Sequence, residues 1–204
     1  PVDGILIHRD ELFGDEIRLA QGISATTPAR TAFDLGRRGR RTQALIAVDA
    51  LANATRLLPS DVMPLLERHR GVRGLVQLRE VLDLMDNGAE SPQETRTRLL
   101  LVDAGLPRPR TQIVVGRWRI DMGWEEFKVG VEYDGPQHWT DPARRTRDID
   151  KYADLDRRRW RMVCVNDELL RYRRHEILAR TCEALQAAGA EWPVIARVLG
   201  YSVA

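Results

Sequence analysis

Over the first 85 residues, apolar positions recur mainly at helical spacing. Thr26-Thr27-Pro28 opens the first such stretch. Thr27 is placed to cap it, Pro28 takes the first helical position, and Ala32, Phe33 and Leu35 form an apolar side. Residues 42–55 repeat the pattern through Ala44, Leu45, Ala47, Val48 and Leu51. Ser60-Asp61 reads as the cap of a third helix over about 60–69, and residues 72–85 read as a fourth. Ahead of these helices, Ile5-Leu6-Ile7 and residues 17–20 read as short strands, and the second turns at Gly22 into another extended piece.

Asp86-Asn87-Gly88-Ala89 interrupts the pattern, and the periodicity then changes. Ser91-Pro92-Gln93-Glu94 opens a helix that runs through Leu99-Leu100-Leu101 to Gly105, its expected C-terminal glycine. Residues 112–115, 117–122 and 129–133 read as three short strands, residues 143–159 as a strongly charged helix, 160–165 as a strand and about 174–188 as a helix. The order α-β-β-β-α-β-α predicts a mixed sheet with helices on both faces. The expected organisation is therefore α/β: a mostly helical N-terminal domain with short strands over 1–87, then an α/β domain over 88–204.

Composition narrows the function classes. No apolar run approaches a membrane span, no signal peptide is evident, and two cysteines, Cys164 and Cys182, are too few for a zinc site. Both are expected on apolar faces of a cytoplasmic protein. The chain begins at Pro1, which is consistent with an upstream segment missing from it. The net charge of +2 hides 32 basic residues, of which only Lys128 and Lys151 are lysines. Arginine forks suit phosphate, although genome composition gives the same bias.

The candidate chemistry lies in residues 119–138. Asp121, Glu132, Asp134 and His138 fall on one tight hairpin and its exit turn. Acids inside apolar strands are costly to bury unless their charge is compensated. A divalent cation compensates several at once, and hard oxygen ligands suit Mg²⁺ or Mn²⁺. Glu132 and Asp134, two apart, point to the same sheet face, while Val131 and Tyr133 point away. This pattern points to metal-assisted cleavage of a phosphate ester.

Asp121, the run Glu132-Tyr133-Asp134-Gly135-Pro136-Gln137-His138, residues 148–155 and residues 160–165 resemble domain-of-unknown-function family 559. That family belongs to the PD-(D/E)XK nuclease superfamily and is similar to very-short-patch-repair endonucleases. The resemblance covers about residues 88–186. Residues 1–85, with His8-Arg9 and Thr26–Thr31, resemble the region preceding this domain in actinobacterial proteins labelled AbiEi-type antitoxins, which usually carry a winged helix further upstream. The resemblance implies a restriction-endonuclease-like fold, with Asp121 and Glu132 as ligands of Mg²⁺ or Mn²⁺ and DNA as substrate. The superfamily's lysine two places after the second acid is here Asp134, and Lys151 on the following helix is the candidate replacement. His138 would act as general base or acid, and Glu94 would support the metal.

Each residue also has a plainer reading. Glu94 completes a capping box with Ser91. Asp121 is a strand-end acid, and Asp134-Gly135 a turn dipeptide. Lys151 pairs with Asp148 or Asp154 on a solvated helix face. Arg144, Arg145 and Arg147 are either a solvated face or a DNA-phosphate rim. The tryptophans read as packing, with Trp139 the candidate base stacker. Two functions follow: a metal-dependent endodeoxyribonuclease, or a DNA-binding antitoxin-type regulator that keeps the fold without cleavage. In either case the N-terminal domain is available to a protein partner or to DNA.

Overall fold

The computed structural model describes residues 7–135 and 142–200, and within the helix Pro142–Arg157 the side chains from residue 146 onward. Contacts divide the chain into two units, residues 1–87 and 88–204. Among the described residues no helix is long and apolar enough to cross a membrane.

The first unit opens with an antiparallel hairpin, β1 (Ile17–Ala20) and β2 (Ile23–Thr26). Gln21 and Gly22 both sit at positive φ, 51° and 80°. That two-residue turn matches the right-handed twist of the strands. Residues 5–6 of the expected first strand lie outside the described residues, and Ile7 is in neither helix nor strand. Helix α1 (Pro28–Gly36) starts as its sequence requires: Thr27 Oγ1 accepts from the Arg30 N–H at 3.3 Å, and Pro28 needs no partner there. Helices α2 (Arg41–Thr55), α3 (Pro59–Arg68) and α4 (Leu75–Leu84) follow. They bury Phe33, Leu45, Val48, Val62, Leu66, Leu78 and Val81.

Two helix starts differ from the expectation. Ser60 does not cap α3; Leu58 precedes the helix, and Asp61 Oδ2 accepts from its N–H at 2.8 Å. Helix α4 begins at Leu75 because Gly74 adopts φ 87°, outside helical geometry.

The second unit runs α5 (Pro92–Asp103), β3 (Arg110–Val115), β4 (Trp118–Trp124), β5 (Val129–Tyr133), α6 (Pro142–Arg157), β6 (Arg161–Val165), α7 (Asp167–Tyr172), α8 (Arg174–Ala187) and α9 (Pro193–Leu199). The sheet order is β3-β4-β5-β6. The first two pairings are antiparallel and β5-β6 is parallel, as a helical crossover through α6 demands. The fold is thus the mixed α/β arrangement expected for the second half. Helices α7 and α9 are additions, six and seven residues long, too short for periodicity to reveal.

Each sheet face has its own core. Met122, Trp124, Val131 and Val165 pack with Leu101 of α5 and with Ile177 and Leu185 of α8. Ile113, Ile120 and Trp160 pack with Leu155 of α6 on the other side. Gly123 and Gly130 face each other across β4 and β5. A Cβ on Gly123 would lie 2.2 Å from the Val129 carbonyl oxygen, so the strands approach closely only because that side chain is absent. Cys182 is fully buried as expected, whereas Cys164 is exposed; on β6 it stands opposite Glu132, on the α6 side of the sheet.

Candidate functional site

The site is built where the β4-β5 ladder ends. The last paired residues are Met122 and Val131; one step further, Asp121 stands opposite Glu132. The Tyr133 N–H donates to Asp121 Oδ2 at 2.8 Å, so a side chain takes over from the backbone ladder. On the other flank of β4, the register sets Asp121 opposite Gln112 of β3. Gln112, Asp121 and Glu132 therefore form one row across three strands. Ile120 packs on the α6 side and Met122 on the α8 side, so strict alternation breaks at Asp121.

Glu132 is buried at 6% exposure, and α6 explains how. Lys151, Tyr152 and Leu155 share the inner face of that helix. Lys151 Nζ forms an ion pair with Glu132 Oε1 and also donates to the Arg119 carbonyl at 2.7 Å. The Tyr152 hydroxyl donates to Glu132 Oε2 at 3.0 Å and accepts from the Cys164 thiol at 3.2 Å. Burial and then the Glu132 charge push the Tyr152 phenol well above its ordinary range, so it acts as a neutral donor. The helix-surface pairing of Lys151 with Asp154 is overturned: Asp154 instead accepts from the Trp118 indole at 3.0 Å and pairs with Arg157 and Arg158.

Glu94 reaches the row from the start of α5. Ser91 Oγ accepts from the Glu94 N–H at 3.1 Å, so Ser91 caps the helix. The capping box itself is not completed: Glu94 Oε2 accepts from the Glu90 N–H at 3.0 Å and from Gln112 Nε2 at 3.3 Å. Burial raises the Glu94 carboxyl above its ordinary value. Asp121 is raised further, to about 7, first by burial and then by the nearby charge of Glu94, with Glu132 adding to it; the Tyr133 N–H and Lys151 oppose the shift. The acids thus feel one another through poorly solvated protein, and one lysine offsets only part of their charge.

Among the described residues, no three His, Cys, Asp or Glu side chains converge into a ready-made metal cage. Mg²⁺ does not need one: it commonly takes one or two carboxylates and completes its shell with water and substrate phosphate. The donors here, Asp121 and Glu132 with the Gln112 amide alongside, are all hard oxygens, so the residues fit such a cation.

The other expected site residues are placed unevenly. The Asp134 N–H donates to the Val165 carbonyl at 2.7 Å, just past the end of β5. His138 and Trp139 lie outside the described residues, as do the side chains of Arg144 and Arg145; Arg147 is exposed on α6. Trp118, Trp124 and Trp160 are buried packing residues. Gln112 was not foreseen. A glutamine in a strand carries no hydrophobic signal, and only the three-dimensional register sets it beside Asp121.

A second buried polar cluster lies in the first unit. Arg30, 1% exposed, forms an ion pair with Glu16, donates to Asp34 Oδ2 at 2.8 Å and donates to the Glu11 carbonyl at 2.8 Å. His69 Nε2 lies 2.7 Å from Glu16 Oε1, and Arg68 adds a contact to the same oxygen at 3.2 Å. These bonds tie the segment before β1 to α1 and α3, and they satisfy every charge they bury.

Residues 3–84 match the AbiEi antitoxin C-terminal domain family. Two uncharacterized proteins of Mycobacterium tuberculosis, from two strains, are each 31% identical to the chain over 193 residues, spanning 92% of this chain and 70% of the relative. No solved structure matches the chain. The antitoxin-like resemblance of the N-terminal region is thereby supported.

Proposed function

The chain belongs to the same family as these two mycobacterial proteins, and from that premise we propose that its second unit is a divalent-metal-dependent endonuclease acting on DNA. The observation that carries this reading is the meeting of Glu94, Asp121, Glu132 and Lys151 on one α-β-β-β-α-β core. A scaffold has no use for three acids around poorly solvated backbone, one of them raised to about 7. A cation and a phosphate do.

In this reading Asp121 and Glu132 hold Mg²⁺ or Mn²⁺. When bound, the metal acidifies its water and stabilises charge on the scissile phosphate. Lys151 supplies the positive charge that the superfamily places two residues after the second acid, a position occupied here by Asp134. It neutralises Glu132 in the metal-free protein, and its ammonium stands beside the carboxylates for phosphate or for the attacking water. Tyr152 fixes the orientation of Glu132, and Gln112 that of Glu94. Arg147 is available for phosphate on the exposed side of α6.

A second reading is favoured by two observations: the antitoxin-domain match over 3–84, and the occupation of both Glu132 oxygens by Lys151 and Tyr152. In it the chain is a regulator that binds DNA or a protein partner without cleavage. Incubation with supercoiled, linear, mismatched and single-stranded DNA in Mg²⁺ or Mn²⁺ separates the two. The nuclease reading requires metal-dependent cutting that Glu132→Gln removes. Salt-dependent binding with no cutting on any substrate supports the regulator.

A further inference from the structure

Gln112 combines three observations that no hydrophobic or hydrogen-bonding need of the strand explains. It sits inside β3 at φ 52°, a conformation that costs a non-glycine residue of order 1–3 kcal/mol. Its neighbours Thr111 and Ile113 pair with Met122 and Ile120, so the strand departs from regular geometry at the one residue facing Asp121. Its amide is used by half: Nε2 donates to Glu94 Oε2 at 3.3 Å, while Oε1 is closed off from solvent and has no hydrogen-bond partner among the described residues.

A buried acceptor left unmade costs about 1–3 kcal/mol. Strain and an orphan acceptor in one residue mean that the position is held for something other than stability. The oxygen belongs to the same planar amide whose nitrogen touches Glu94, and its residue is in register with Asp121. Amide oxygens are ordinary ligands for hard divalent cations. A neutral ligand also suits a site that already holds Glu94, Asp121 and Glu132, because it adds coordination without adding like charge.

We propose that Gln112 is a fourth member of this site: its amide oxygen is a ligand for the divalent cation, and its amide nitrogen holds Glu94 in place. The proposal rests on the metal-dependent reading of the acidic row. The strained backbone sets the amide at Asp121, and the cation supplies the partner that Oε1 lacks.

The test is Mn²⁺ titration of the full chain followed by electron paramagnetic resonance, with Gln112→Gly, Gln112→Glu and Asp121→Asn beside the parent. Glycine accepts φ 52° freely, so Gln112→Gly is expected to fold at least as well as the parent without metal. It should bind Mn²⁺ about 10- to 100-fold more weakly. Gln112→Glu keeps an oxygen but loses the donor to Glu94, and it should restore binding to within about threefold of the parent, or tighter. Parent-like affinity in Gln112→Gly would overturn the proposal. So would Gln112→Glu binding no better than Gln112→Gly, because the residue would then act only through Glu94. If the parent binds no Mn²⁺, or Asp121→Asn binds as well as the parent, the metal-dependent reading itself fails, and this proposal with it.

Discussion

Replacing Asp121 with asparagine should make the metal-free protein more stable, an unusual result for a substitution at a buried, hydrogen-bonded site. Its carboxyl ordinarily titrates near 3.8 and is raised here to about 7. That difference is an ionisation cost of about 4 kcal/mol at pH 8. Asparagine keeps an oxygen for the Tyr133 N–H but brings an amide group that needs a partner, at about 1–3 kcal/mol. The net expectation is a gain of about 1–3 kcal/mol at pH 8. Because the folded carboxyl titrates above its unfolded value, its destabilising effect is complete above about pH 7 and fades as pH falls from there towards 3.8. The advantage of Asp121→Asn should therefore be nearly level from pH 8 to about pH 7 and shrink between about pH 7 and pH 5. Urea unfolding with a chelator present measures it. All five tryptophans lie in the second unit, so their fluorescence reports that unit alone. Destabilisation at pH 8, or a difference that does not change with pH, would refute the view that Asp121 is ionised against its surroundings. Mn²⁺ should stabilise the parent and leave Asp121→Asn unmoved.

Lys151→Met removes the cation paired with buried Glu132. It should cost the chelated protein about 3–5 kcal/mol, with Mn²⁺ restoring more of that loss than it adds to the parent; DNA cleavage should fall at least about 100-fold. Tyr152→Phe deletes one hydrogen bond to Glu132 and should cost about 1–2 kcal/mol in urea unfolding. In the first unit, Arg30→Met removes one cation from Glu16, which keeps His69 and Arg68, and from Asp34, which keeps Arg37 and Arg38; urea unfolding followed by circular dichroism should show a loss of about 1.5–3 kcal/mol with no change in Mn²⁺ affinity.

Much of the fold is legible from local rules. Thr27 and Ser91 announce helices through their hydroxyls, and β5 coincides with the alternation over 129–133. The failures have local causes too. Gly74 at positive φ delays α4, and Asp61 rather than Ser60 reaches back at α3, a choice the two side chains settle by geometry. Of the candidate site, Asp121, Glu132 and Lys151 are visible as acids in strands and as a lysine one helix later. Which partner Lys151 takes is not, because Asp148, Asp154 and Glu132 are equally plausible until α6 is laid on the sheet. Gln112 and the buried Arg30 cluster are invisible for a related reason. A polar residue in an element looks solvated until a long-range partner closes over it, and those partners lie 18 and 39 residues away for Gln112–Glu94 and Arg30–His69.

The most direct test of the central claim is cleavage of supercoiled DNA by the full chain in Mg²⁺ or Mn²⁺, with Glu132→Gln in parallel and the fold of both checked by tryptophan fluorescence. The account predicts metal-dependent nicking or linearisation by the parent, abolished in a folded Glu132→Gln. Equal cutting by both proteins, or DNA binding with no cutting in either metal, would contradict it.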